Sequence, residues 1–115
     1  MRASRRKGVR MSVEDFRELY ERHVGYVVSG DMKAALADMV QENLPAVFDG
    51  VTVPRGDVDG FEIKDVRADG DRRIGETVYT TPKGVIGLRS IWERHDGRWL
   101  AAALENFPAD EGQPA

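Results

Sequence analysis

There is no cysteine among the 115 residues of this chain, which removes disulfide staples, thiolate nucleophiles and cysteine-ligated metals together. The two histidines, His23 and His95, lie far apart and give no metal-ligand spacing. No apolar run approaches the roughly 20 residues that span a bilayer, and the first residues lack the apolar stretch of a secretory signal. A glycine-rich phosphate loop, a G-x-S-x-G elbow and an aromatic-basic platform for nucleic acid are also missing. These absences lead us to expect a soluble, cytoplasmic protein with no membrane partner, no metal and no cofactor. Its stability has to come from packing, within the chain or against a second subunit.

What is there suits one packed domain. Apolar residues make up 41% of the chain and charged residues 32%, a balance that permits a core and argues against disorder. The charge is uneven. Residues 1 to 10 carry five basic groups, Arg2, Arg5, Arg6, Lys7 and Arg10, and no acid, so a net charge of −3 leaves −8 for the rest. Such an arm suits nucleic acid or an anionic membrane surface, or it is a disordered leader upstream of a true start at Met11. The leader reading is preferred, because basic arms alone carry little specificity, and nucleic acid is not expected as a partner.

Ser12, followed by Glu14 and Asp15, reads as an N-cap with acids in the first turn of a helix. Phe16, Leu19, Tyr20, His23, Val24 and Val27 then recur on one helical face, and Ser29-Gly30 ends it. Asp31 caps a second helix whose stripe is Met32, Ala35, Leu36, Met39 and Val40, closed by Leu44-Pro45. Residues 45 to 60 are broken by turn signals, with a minor strand expected at Val51-Thr52-Val53. Asp57-Val58-Asp59-Gly60 starts like a calcium loop but lacks its later ligands, and a turn is expected. Beyond Gly60 four β-type segments follow: 61–68, 72–81, 85–95 and 98–107. Asp69-Gly70 and Asp96-Gly97 are two-residue hairpin signals, and Pro82-Lys83-Gly84 suits a three-residue loop. The expected organisation is a basic disordered tail over 1–11, one α+β domain over 12–107 and a polar tail over 108–115. Its two N-terminal helices pack on an antiparallel meander.

Those turns set a register, and alternate residues take opposite faces. The expected inner face holds Phe61, Ile63, Ile74, Val78, Ile86, Leu88, Trp92, Trp99, Ala101, Ala103 and Phe107, with Asp65, Glu76, Ser90 and Glu105 among them. Ile63, Glu76, Ser90 and Ala103 form one row; Phe61, Val78, Leu88 and Glu105 form the next. The expected outer face mixes Tyr79, Val85, Ile91, Leu100, Ala102 and Leu104 with Lys64, Arg73, Arg89, Glu93 and Asn106. A sheet with two half-apolar faces and helices for only one of them is expected to bury the other in a homodimer.

The segment from Ser90 to Leu100, Ser-Ile-Trp-Glu-Arg-His-Asp-Gly-Arg-Trp-Leu, resembles the last hairpin of nuclear transport factor 2-like and SnoaL-like proteins. Val28-Ser29-Gly30-Asp31 resembles the junction between their first two helices. The likeness covers roughly residues 12 to 107. It implies a cone of curved sheet closed by helices, commonly dimeric, around a largely apolar cavity that takes a small apolar ligand. The superfamily includes isomerases, cyclases, dehydratases and noncatalytic binding modules. This chain departs from the pattern after the second helix, where residues 45 to 60 leave little room for a third helix and a longer first strand. In isomerases of this type a carboxylate base works with a tyrosine of the first helix, a position that Tyr20 matches by element.

Glu76 and Glu105 on an apolar face are the expected acid–base pair, since desolvation moves a carboxyl toward the range where it exchanges protons. At roughly 10 Å or more apart they do not form a shared-proton dyad, and the plainer reading pairs each with an arginine. Tyr20 and His23, one turn apart, are the expected proton-exchange partners; a lone buried histidine is more often a satisfied core residue. Ser90, Trp92, Phe61 and Met39 are the expected ligand contacts, although Trp92 and Trp99 also read as core packing. Two readings stay open. The preferred one is a noncatalytic dimeric module that binds a small ligand or a protein. The alternative is a cofactor-independent isomerase, cyclase or dehydratase acting on a small apolar substrate. A wet cavity holding the glutamates and Tyr20 favours the enzyme; a filled one favours the module.

Overall fold

The computed structural model describes residues 13–55 and 57–109; the basic arm and the Ser12 cap lie outside them. Helix α1, Val13–Ser29, buries the anticipated stripe of Phe16, Tyr20, His23, Val24 and Val27, while Arg17, Glu18, Glu21 and Arg22 on the other side are exposed. It ends in a two-bond cap: Asp31 N–H donates to Tyr26 O at 2.9 Å and Gly30 N–H to Val27 O at 3.2 Å. Gly30 takes φ +81° there, as the left-handed residue of this motif does. The side chain of Asp31 then accepts from Ala34 N–H and starts α2, Met32–Ala37.

Helix α2 is shorter than its apolar stripe suggests. Val40 N–H donates to Ala101 O and Ala101 N–H to Asp38 O, both at 2.9 Å, so the chain leaves the helix to lie beside a strand. A 3₁₀ turn, Gln41–Asn43, leads into α3, Leu44–Phe48. Pro45 therefore opens a third helix where a stop was expected, in the first turn, where its missing N–H costs nothing. The minor strand expected at Val51-Thr52-Val53 does not form. Thr52 is held instead by the Asn106 side chain, which accepts from its N–H at 2.8 Å and donates to its carbonyl at 2.9 Å.

Four strands, β1 Gly60–Asp69, β2 Arg72–Thr81, β3 Gly84–His95 and β4 Arg98–Phe107, form an antiparallel meander in the order β1-β2-β3-β4. The Asp96-Gly97 turn is as anticipated, with φ +52° and +81° and His95 opposite Arg98. The β2–β3 loop is not. Thr81 pairs with Gly84, so the loop is the two residues Pro82-Lys83. The Thr81 hydroxyl braces it, donating to Gly84 O at 2.9 Å and accepting from Lys83 N–H at 3.1 Å.

That one-residue difference turns β2 over, because side-chain direction has period two. Ser90 faces Gly75, and Glu76 faces Arg89. Gly75, Thr77, Tyr79 and Thr81 thus point to the helices, where Ile74, Glu76 and Val78 were expected. Two bulges shift further residues. An extra residue, Ala102, between the Trp92–Ala101 and Ile91–Ala103 pairs sends Ala103, Glu105 and Phe107 outward and Leu104 inward. A second, at Lys64, carries Asp65 outward.

Candidate functional site

Beneath the helices the space is closed by side chains. Phe16, Tyr20, Tyr79, Trp92 and Thr77 are at most 2% exposed. Trp92 forms the centre, with its indole edge-on to Phe16, Tyr20 and His23 at centroid distances of 5.5, 6.4 and 5.1 Å. Polar atoms in this layer satisfy one another. The Trp92 indole N–H donates to Ser90 Oγ at 2.8 Å, and the Tyr20 hydroxyl shares a hydrogen bond with Thr77 Oγ1 at 2.6 Å. Burial pushes the Tyr20 phenol up to about 12, against the opposing hydrogen bonds from Thr77 and Ser90. Burial likewise raises Tyr79. Both phenols are neutral structural groups at ordinary pH.

The buried His23 pairs with the half-buried Asp38. Nδ1 lies 3.0 Å from Asp38 Oδ2, and Asp38 is placed there by the backbone bridge to Ala101 that ends α2. His23 also borders an apolar cavity of about 40 Å³ between helices and sheet, lined further by Val27, Met32, Met39, Phe48 and Leu88. A space of this size holds a water molecule, whereas small-molecule sites run to roughly 300–1,000 Å³.

Glu76 and Glu105 lie on the other side of the sheet, outside any cavity with Tyr20, so the expected meeting of these three residues is corrected. Glu76 Oε2 accepts from Arg89 Nε at 2.7 Å and lies 3.3 Å from Arg67 Nη1. Arg89 Nη1 reaches Glu105 at 3.5 Å, and Arg67 also pairs with Asp65. The result is a carboxylate–guanidinium ladder across all four strands. Hydrogen bonding to Glu76 raises the Arg89 pKa, and hydrogen bonding to Asp65 raises that of Arg67. This ladder separates two apolar rows, Ile74–Ile91–Ala103 and Val78–Gly87–Phe107.

Of the expected ligand contacts, Ser90 and Trp92 are consumed by packing and Met39 lines the small cavity. Phe61 sits at the end of the helix-facing side, 49% exposed. Two partners escaped the sequence reading. Asp38 carries no local signal, because a nonlocal bridge positions it. Arg89 was legible as the neighbour of Glu76 given a two-residue β2–β3 turn. Among the described residues no three His, Asp or Glu side chains gather as a metal site, and no helix is long and apolar enough to cross a membrane.

Three helices laid on one face of a four-stranded meander define an α+β fold of the nuclear transport factor 2-like type. The chain superposes on the crystal structure of an NTF-2 like protein of unknown function from Burkholderia xenovorans LB400, with a TM-score of 0.56 and 17% sequence identity, over 89% of this chain and 94% of that one. No protein-family profile matches the chain, and no curated protein matches it.

Proposed function

We propose that this protein is a noncatalytic, homodimeric binding module that self-associates through the outer sheet face. The observation that carries this reading is the contrast between the two sides of the sheet. The helix side is filled by Trp92, Phe16, Tyr20 and Tyr79, leaving no room for a substrate. Among the described residues no helix lies over the outer side, and its apolar rows flank a ladder whose charges are already paired. A second copy covering that face would bury the half-exposed Ile91 and Phe107 without stranding an unpaired charge. Size-exclusion chromatography with light scattering tests this directly. The native chain is expected at twice its monomer mass, and Ile91→Asp is expected at monomer mass with unchanged far-ultraviolet circular dichroism. A native chain that stays monomeric up to about 100 µM overturns the proposal.

The His23–Asp38 pair supports a second reading, in which the module retains a proton-transfer site for a small apolar ligand and works as an isomerase, cyclase or dehydratase. That reading requires Phe48 and Met39 to move and enlarge the cavity. Ligand-induced chemical-shift changes confined to His23, Met39 and Phe48 would favour it; a cavity silent to a panel of small apolar molecules would not.

A further inference from the structure

Two spaces in this fold lie back to back with one thin wall between them. The inner one is the apolar cavity of about 40 Å³ at His23; the outer one is an open cleft of about 390 Å³ between residues 52–55 and the β2–β3 turn. Val53 and Pro54 line both. The cavity alone is too small for an organic ligand, whereas the cleft alone reaches the roughly 300–1,000 Å³ of small-molecule sites.

The wall is tied down lightly. Val51 N–H donates to Phe48 O at 3.1 Å and Asp59 N–H to Thr80 O at 2.7 Å, and between them no backbone–backbone hydrogen bond forms among the described residues. One side chain takes that role. Asn106 accepts from Thr52 N–H at 2.8 Å and donates to Thr52 O at 2.9 Å and to Gly87 O at 3.0 Å. Asn106 is exposed, so water can replace these bonds at small net cost. Gly50, at φ +73°, precedes the segment and gives it a pivot free of Cβ strain. Residues 51–55 are thus a strap held shut by one amide latch and by the burial of Pro54.

The chemistry changes from one side of the strap to the other. Behind it Met32, Met39 and Leu104 are apolar, and methionine repacks readily around a guest. In front, Ile86 and the 40% exposed Val85 continue the apolar surface to a rim that carries Arg55 and Lys83. Among the described residues neither side chain has a carboxylate within 4.0 Å. Asp57, the acid among the lining residues, already accepts from the Arg55 N–H at 3.3 Å.

We infer that the strap lifts to join cavity and cleft into one channel for a free medium-chain fatty acid. The alkyl tail passes where Val53 and Pro54 close the wall and lies against Met39 and Leu104, while the carboxylate stays at the wet rim beside Lys83 and Arg55. Burial of the tail supplies the affinity, and the charged head keeps its water. The inference deepens the ligand-binding reading of the His23 cavity and does not depend on the dimer.

Octanoate is the probe and 1-octanol its neutral counterpart, each titrated into the full-length protein and followed by methionine methyl signals in carbon–proton NMR spectra. Octanoate is expected to move the Met39 signal saturably with a Kd below about 1 mM, and acetate, which has no tail, to leave it still. The double variant Arg55→Gln/Lys83→Gln should weaken octanoate about tenfold, as two exposed charge contacts warrant, and leave octanol unchanged. Because the tail holds the latch open, hydrogen exchange at the Thr52 amide should speed up on saturation with octanoate while strand amides do not change. Asn106→Ala should tighten octanoate, since more of the chain is then open before binding; if that variant fails to fold, the Thr52 exchange of the native chain gives the same decision. Equal affinity for octanol and octanoate, a Met39 signal that responds to octanol alone, or a Thr52 amide that slows or stays unchanged overturns the channel while leaving the cavity a ligand site. A Met39 signal silent to both probes overturns the channel and the cavity reading together.

Discussion

Gly75 shows how one residue can be dictated by a neighbour distant in sequence. A Cβ built there would stand 2.4 Å from Tyr20 Cζ and 2.5 and 2.7 Å from the adjoining ring carbons, closer than any side chain tolerates, and the ring is locked beneath α1. Gly75→Ala is therefore expected to cost about 1–3 kcal/mol through overpacking, measurable as a lower urea midpoint with an unchanged slope. Tyr20 itself sets an alkaline limit. Its phenol moves from an ordinary 10.0 to about 12 in the folded chain because burial penalises the anion. With the folded pKa above the unfolded one, the contribution is complete below pH 10 and is lost as pH rises from 10 toward 12, since the unfolded chain releases its proton first. Tyr79 shifts in the same direction. Thermal midpoints are thus expected to fall across that interval, and Tyr20→Phe is expected to flatten the decline.

Turns govern what each strand presents. Gly97 takes φ +81° beside Asp96 at +52°, so Gly97→Ala forces a Cβ into the left-handed region and should cost about 1–2 kcal/mol, read in the same urea titration. The helices and strands were largely legible in advance. The α1 stripe, the Gly30 stop, the Asp31 cap and the Asp96-Gly97 turn follow from local spacing and backbone preference. Helix α3 was not, because Pro45 is compatible both with ending one helix and with beginning the next. The β2–β3 loop was missed because glycine after Pro82-Lys83 suits either two or three loop residues, and the choice rests on the Thr81 hydroxyl brace. The Ala102 bulge has no local marker at all. Together the loop and the bulge moved Glu76 and Glu105 to the other side of the sheet.

Across the whole molecule, the ladder from Asp65 to Glu105 ties four strands into one charge network on the face proposed to meet a second copy. Arg89 is its hub, bonded to Glu76 and close to Glu105. Arg89→Met is expected to destabilise the monomer by only about 1 kcal/mol, as such a partly exposed pair warrants. In the dimer it would bury Glu105 without a partner and leave Glu76 with Arg67 alone, so the larger effect should appear as a raised dimer dissociation constant in sedimentation equilibrium. A loss of monomer stability with no change in association would place the ladder outside the interface. Local chemistry along the chain dictated the α+β class, the amphipathic helices and the meander, since periodicity, caps and paired turns act over a few residues. Which side of the sheet each glutamate occupies, that His23 meets Asp38, and that the interior is closed were decided only on assembly. Each depends on a one-residue register or a bulge, and those are selected by contacts between distant segments.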